Sequence, residues 1–131
     1  MKREIKFRAY SSHNHKIYSV SNIEWDIDGR IWVTADDGKN GIELIDEEAH
    51  LMQYTGLHDK NGREIYEGDI VRTGEDNIGD PDPTIGQVIM REGSWLIENE
   101  KKQEEIGLFS EITSREVIGN IFEDNQLLEG K

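Results

Sequence analysis

The sequence predicts a mainly β protein with few short helical turns: an N-terminal β-rich lobe followed by a small SH3-like five-stranded barrel or a strongly bent sheet. Three observations carry this. Seventeen Ile and five Val stand against seven Leu and three Ala, so Cβ-branched residues that suit a pleated surface outnumber the best helix formers. Apolar residues recur with a period of two in short segments. Glycine-bearing turn signals separate those segments, at Asp28-Gly29, Asn61-Gly62, Gly68-Asp69 and Glu92-Gly93.

Glu4 to Tyr10 alternates, with Ile5, Phe7 and Ala9 on one side and Lys6, Arg8 and Tyr10 on the other, which predicts a half-buried strand. Ser11 to His15 is a polar turn, and Lys16 to Val20 reads as the returning strand. Ile23 to Ile27 and Arg30 to Ala35 flank Asp28-Gly29 as a two-residue hairpin. Ile23, Trp25 and Ile27 share a face, whereas Trp32 points away from Ile31 and Val33, toward a second lobe or a partner. Ile42 to Ile45 is a short apolar run, and the acids Asp46, Glu47 and Glu48 suit the start of a helical turn.

Leu51 to Tyr54 is a further strand, and Glu64 to Tyr66 leads through Glu67-Gly68-Asp69 into a strand at Ile70. Thr73 to Thr84 is a breaker-rich acidic loop. Ile85 to Arg91 and Ser94 to Ile97 pair across Glu92-Gly93. Glu98 to Glu105 reads as a charged hairpin loop, Ile106 to Phe109 as a strand and Ser110 to Ser114 as a helical turn. Glu116 to Glu123 is the last strand, apolar on both faces, with Gly119 marking a bulge or bend. A terminal helical turn is expected around Gln126-Leu127-Leu128. The organisation is thus residues 1–51 as the N-terminal lobe, 52–68 as a connector and 69–131 as the barrel-like lobe, together one compact unit.

At 131 residues, with 32 of them Leu, Ile, Val or Phe, the chain can build a core without staples. It has no Cys, which removes disulfides, thiolate metal sites and a thiol nucleophile. No apolar run follows the N-terminus as in a signal peptide, and none approaches the ~18–20 residues of a membrane span. The expectation is a cytoplasmic protein with no membrane partner. Twenty-eight acids against 15 bases give a net charge of −13, which repels phosphates and disfavours direct nucleic-acid binding.

Candidate chemistry is sparse. His13 and His15 flank Asn14 in a polar turn, where a solvated turn is the simpler reading than a metal pair or an HNH-like triplet. Glu67 and Asp69, two apart at a strand start, share a face and are the candidates for a divalent cation. The plainer role for Asp69 is to bond its own turn backbone. Asp76 to Asp82 has calcium-loop composition without the spacing. There is no phosphate-cradling glycine loop and no Gly-x-Ser-x-Gly elbow. Lys2, Arg3, Lys6 and Arg8, interleaved with Phe7 and Tyr10, form the one basic cluster. No catalytic or cofactor-binding residue is assigned, and no cofactor is expected. Tyr54, His58, Tyr66, Trp32 and Trp95 are the candidates for contact with a partner.

Leu51-Met52-Gln53-Tyr54-Thr55-Gly56-Leu57-His58-Asp59-Lys60-Asn61-Gly62-Arg63-Glu64-Ile65-Tyr66-Glu67-Gly68-Asp69-Ile70-Val71 resembles the signature of the YopX family, small proteins encoded by phages and prophages of bacteria. Ile5 to Tyr10 and Glu116 to Asp124 fit the same family in the same order. The resemblance implies a β-rich fold, a phage or prophage origin and a tendency to self-associate in crystals; the expected compartment is the bacterial host cytoplasm. The resemblance implies no activity.

The leading expectation is therefore a non-enzymatic accessory protein that binds a protein partner and forms a homo-oligomer. Two alternatives follow from the acids. One is an acidic nucleic-acid mimic that inhibits a host DNA-binding enzyme, and the other is a metal-dependent hydrolase using Glu67 and Asp69.

Overall fold

The computed structural model describes residues 6–73, 84–100, 103–108 and 115–129. Contacts divide the chain into two units, Met1–Tyr54 and Thr55–Lys131. Both are built from antiparallel strands.

The first unit holds β1 (Phe7–Ser11), β2 (Lys16–Trp25), β3 (Ile31–Asp36), β4 (Gly41–Ile45), a 3-10 turn at Asp46–Glu48, and the first half of β5 (Ala49–His58). The order in space is β4-β3-β2-β1-β5. Alternation decides which side chains meet. Ala9 faces Tyr18 on β2 and Leu51 on β5, and Val33 faces Leu44. These residues, with Ala35, make the unit's core. Met52 and Tyr54 alternate with Leu51 and so lie on the opposite face, where they are also buried, and Lys6 sits 5.1 Å above the Tyr54 ring.

Two expectations fail in this unit. The segments Lys16 to Val20 and Ile23 to Ile27 are not separate strands: β2 runs unbroken and absorbs the irregularity as a bulge between Val20 and Asn22. The hairpin at Asp28-Gly29 is not a two-residue loop. β2 stops at Trp25, and the loop closes through Asp26, whose N–H donates to Arg30 O (2.9 Å) and whose carbonyl accepts from Gly29 N (3.0 Å). The Asp26 carboxylate stabilises this wider loop by accepting from the N–H groups of Asp28 and Arg30. Of the predicted first strand, Glu4 and Ile5 lie outside the described residues.

The second unit begins with the end of β5, which pairs with β6 (Glu64–Tyr66). It continues as β7 (Asp69–Thr73), β8 (Thr84–Arg91), β9 (Ser94–Asn99), β10 (Glu104–Gly107), β11 (Arg115–Asn120) and a 3-10 turn at Asn125–Glu129. The five strands lie in the order β10-β9-β8-β7-β11 over a core of Ile65, Val71, Val88, Trp95, Ile97, Leu108 and Val117. Of the two forms the sequence allowed, the bent sheet is realised and the closed barrel is not. β10 and β11 stand at opposite ends of the order.

The outer edge of β11 is already occupied. The turn after β5 lies along it, with Lys60 N donating to Arg115 O (2.9 Å), Arg63 Nη1 to Val117 O (3.0 Å) and Val117 N to Asp59 Oδ2 (2.9 Å). Asp59 holds its own turn as well: Oδ1 accepts from Asn61 N (2.9 Å) and Arg63 N (2.8 Å). One buried carboxylate thus closes a turn and ties it to a strand some sixty residues later. Backbone groups that barrel closure would need are used in this clamp.

Further boundaries depart from the sequence reading. Glu98 to Glu105 is not all loop, because β9 reaches Asn99 and β10 starts at Glu104. Arg91 bonds Glu98 (2.6 Å) and Glu105 (2.8 Å), and this cation lets charged residues sit across from one another in strands. The strand expected from Ile106 to Phe109 is accordingly centred earlier. β11 ends at Asn120 rather than Glu123, because Asn120 Oδ1 accepts from Phe122 N and Glu123 N (both 3.0 Å) and turns the chain. The bulge at Gly119 is present, and a Cβ there would lie 2.6 Å from Asp124 Oδ2. The expected loop from Thr73 to Thr84 and the helical turn from Ser110 to Ser114 lie outside the described residues, apart from their strand-end residues.

Two stability predictions follow. A Cβ at Gly86 would stand 2.7 Å from the backbone oxygen of Glu98, so Gly86→Ala should lower stability by about 1–3 kcal/mol in a urea titration; an unchanged midpoint would contradict the packing. Asp59→Asn leaves an amide where Val117 N–H or the turn N–H groups need an acceptor, and should lower stability by about 2–4 kcal/mol. Burial works to raise the Asp59 pKa, but the N–H groups of Val117, Arg63 and Asn61 and the Arg63 charge outweigh it, so the pKa is below the usual carboxylate value. A depressed folded pKa contributes stability above the unfolded value and loses it as pH falls through the folded one. Wild type should therefore lose stability below about pH 4, and Asp59→Asn should flatten that slope in urea titrations run across the range.

Candidate functional site

The residues that sequence reading singled out do not converge. Asp69 is buried at the start of β7, and its Oδ2 accepts from Tyr66 N (2.8 Å). It fastens the Tyr66-Glu67-Gly68 turn, which is further held by Gly68 N donating to Val88 O and Ile121 N to Gly68 O (both 2.9 Å). Glu67 is half-buried in that turn. Among the described residues no group of three or more His, Asp or Glu is placed to hold a metal ion.

The aromatic candidates divide by unit. Tyr54 is buried beneath Lys6 in the first unit. Tyr66 is half-buried and donates through its hydroxyl to Glu64 (3.1 Å), His58 is exposed near the end of β5, and Trp95 belongs to the core of the second unit. Trp32 is half-buried, and its indole N–H donates to Asp26 Oδ2 (3.0 Å). His13 and His15 stay in the exposed β1–β2 turn, where His15 Nδ1 meets the Tyr10 hydroxyl at 3.0 Å. The rings of His15 and His50 both lie tilted near Tyr10. An acidic groove of about 300 Å³ runs along the β9–β10 hairpin, lined by Glu98, Asn99, Glu100, Gln103 and Glu105.

The strand reading overruns at the tip of the β2–β3 hairpin. The pattern put Ile23, Trp25 and Ile27 on one face of a strand from Ile23 to Ile27, whereas β2 ends at Trp25 and Ile27 lies in the loop. Trp25 pairs with Ile31 and does lie on that side of the sheet, yet it is 67% exposed, and Ile27 in the loop is 99% exposed. β4 accompanies β3 as far as the Trp32–Ile45 pair, so Trp25 and Ile31 stand one position beyond the three-stranded part of the hairpin, next to its loop. Asp26 lies between the two apolar residues. Its Oδ1 accepts from Asp28 N and Arg30 N (both 2.9 Å), and its Oδ2 accepts from the Trp32 indole and pairs with Arg30 Nε at 3.3 Å. The Trp32 bond foremost, with the Arg30 and Asp28 N–H groups and the Arg30 charge, lowers the Asp26 pKa despite opposing desolvation. The ionised form of the carboxylate, the better acceptor for these N–H groups, is favoured. The sequence did carry a signal: Asp26 and Asp28 straddle Ile27, a position that a buried strand would not tolerate.

Comparison with known proteins bears on fold and ancestry. The family described as YopX protein matches residues 6–129. YopX from Bacillus subtilis superposes with a TM-score of 0.65 at 16% identity, over 93% of this chain and 96% of the other. Protein EF1440 from Enterococcus faecalis gives a TM-score of 0.59 at 21% identity, over 97% and 99% of the two chains. Nothing among the curated proteins matches. At these identities the structural likeness speaks for the fold, and the match across nearly the whole sequence speaks for descent: this chain belongs to the YopX family.

Proposed function

We propose that the chain is a non-enzymatic accessory protein of a phage or prophage that acts by binding another protein, with the β2–β3 tip as its contact. The observation that carries this reading is the exposure of Trp25 and Ile27 on a turn held by Asp26. Exposed apolar side chains on an acidic protein cost solubility, and large aromatic residues are favoured anchors at protein interfaces. A turn already fixed by four bonds to one carboxylate loses little freedom on association. The acids named as metal candidates support no hydrolytic reading, since Asp69 is engaged by its own turn.

The reading is tested with full-length protein on beads and a soluble extract of Bacillus subtilis. The double variant Trp25→Ala/Ile27→Ser should change folding stability by less than about 0.5 kcal/mol, as expected for exposed positions. It should also lose the proteins that wild type retains, whereas Met90→Ala, another exposed apolar position, should keep them. Equal retention by wild type and the double variant would refute the proposal.

A further inference from the structure

We infer that the Trp25–Ile27 tip fits a socket on a different protein, apolar at its floor and lined at its rim by Lys or Arg; this rests on the binding reading above. The geometry points to a socket rather than a flat face. Two exposed large side chains stand two positions apart at one hairpin end, Trp25 as the last residue of β2 and Ile27 in the loop, and apolar groups so placed lose most water when a concave surface surrounds them.

The charge around this pair selects the rim. Glu24, Asp26 and Asp28 interleave with Trp25 and Ile27, and Glu24 and Asp28 are exposed. Arg30, a base of the same loop, already reaches Asp26 at 3.3 Å and Asp28 at 3.6 Å. The tip therefore presents acid on both flanks of its apolar pair. A rim of acids would place like charges together as water is excluded, whereas Lys or Arg would complement them. The same charge disfavours the other occupants. A second copy brings another net −13, and anionic lipid or nucleic acid meets the same repulsion at range.

The experiment is site-specific photocrosslinking of the full chain in Bacillus subtilis cells, with p-benzoylphenylalanine replacing Trp25 and adducts mapped by mass spectrometry. The expected result is an adduct to another protein at an apolar position flanked by Lys or Arg. Its yield should fall at least about fivefold with Asp28→Lys, and also when lysates are crosslinked at about 0.5 M rather than 0.05 M salt. Circular dichroism of each variant checks that the fold is kept. An adduct insensitive to Asp28→Lys and to salt, or one flanked by acids, overturns the basic rim and leaves the binding tip standing. Adducts only to a second copy or to lipid overturn the partner assignment. No adduct beyond the level seen with Ile27→Asp overturns both this inference and the binding reading.

Discussion

The second unit depends on one buried carboxylate. Asp59 satisfies two N–H groups of its own turn and a third on β11, and no neutral side chain of similar size offers acceptors in both directions. Replace the carboxylate by an amide and one of those directions loses its acceptor, although Lys60 N–Arg115 O and Arg63 Nη1–Val117 O still lie along β11. The same turn is the centre of the stretch that relates this chain to the YopX family, so its most recognisable residues serve the backbone. Asp69 repeats the device on the next turn. A signature of this kind reports that chains share a fold. It carries no information about chemistry, because its polar atoms are engaged in holding main chain.

That use of acid extends through the molecule and changes what a net charge of −13 means. Asp36 accepts from Gly38 N, Asp37 from Lys39 N and Asn40 N, Asp46 from Ile31 N, and Asp124 from Asn120 N. With Asp26, Asp59 and Asp69 this makes seven aspartates bonded to backbone N–H groups among the described residues. An all-β chain with many turns has many N–H groups outside the ladders, and a short carboxylate is the strongest local acceptor available to them. Much of the aspartate content is therefore a consequence of the fold. The charge is also uneven: residues 1–54 hold seven bases and ten acids, and residues 55–131 hold eight and eighteen.

The turns were legible because their signals are local. Glycine at positive φ, as at Gly62 and Gly68, and an Asp that can bond its own backbone identify a bend from three or four residues. What was illegible depended on partners far away. Nothing near Glu98 or Glu105 shows that Arg91 pairs with both and lets strands run on through charged sequence. Nothing near Val117 shows that its outer edge is taken by Asp59, so a pattern equally suited to a closed barrel became a bent sheet. Trp25 marks a further limit. Alternation gives the face of a strand correctly and says nothing about how much of that face is covered.

The exposure of Trp25 separates the fold's requirements from the rest. Tyr54 and Trp95 are large aromatic residues whose burial the two cores or their faces use, and Trp32 is held by Asp26. Trp25 and Ile27 contribute little to packing, and the turn would close through Asp26 whatever residues flanked it, because its bonds run to backbone N–H groups and to Trp32. At the hairpin tip the backbone needs only Asp26, which leaves the flanking positions free of the fold's demands. A rigid support with unconstrained positions at its tip is the arrangement in which recognition can change while the fold stays the same.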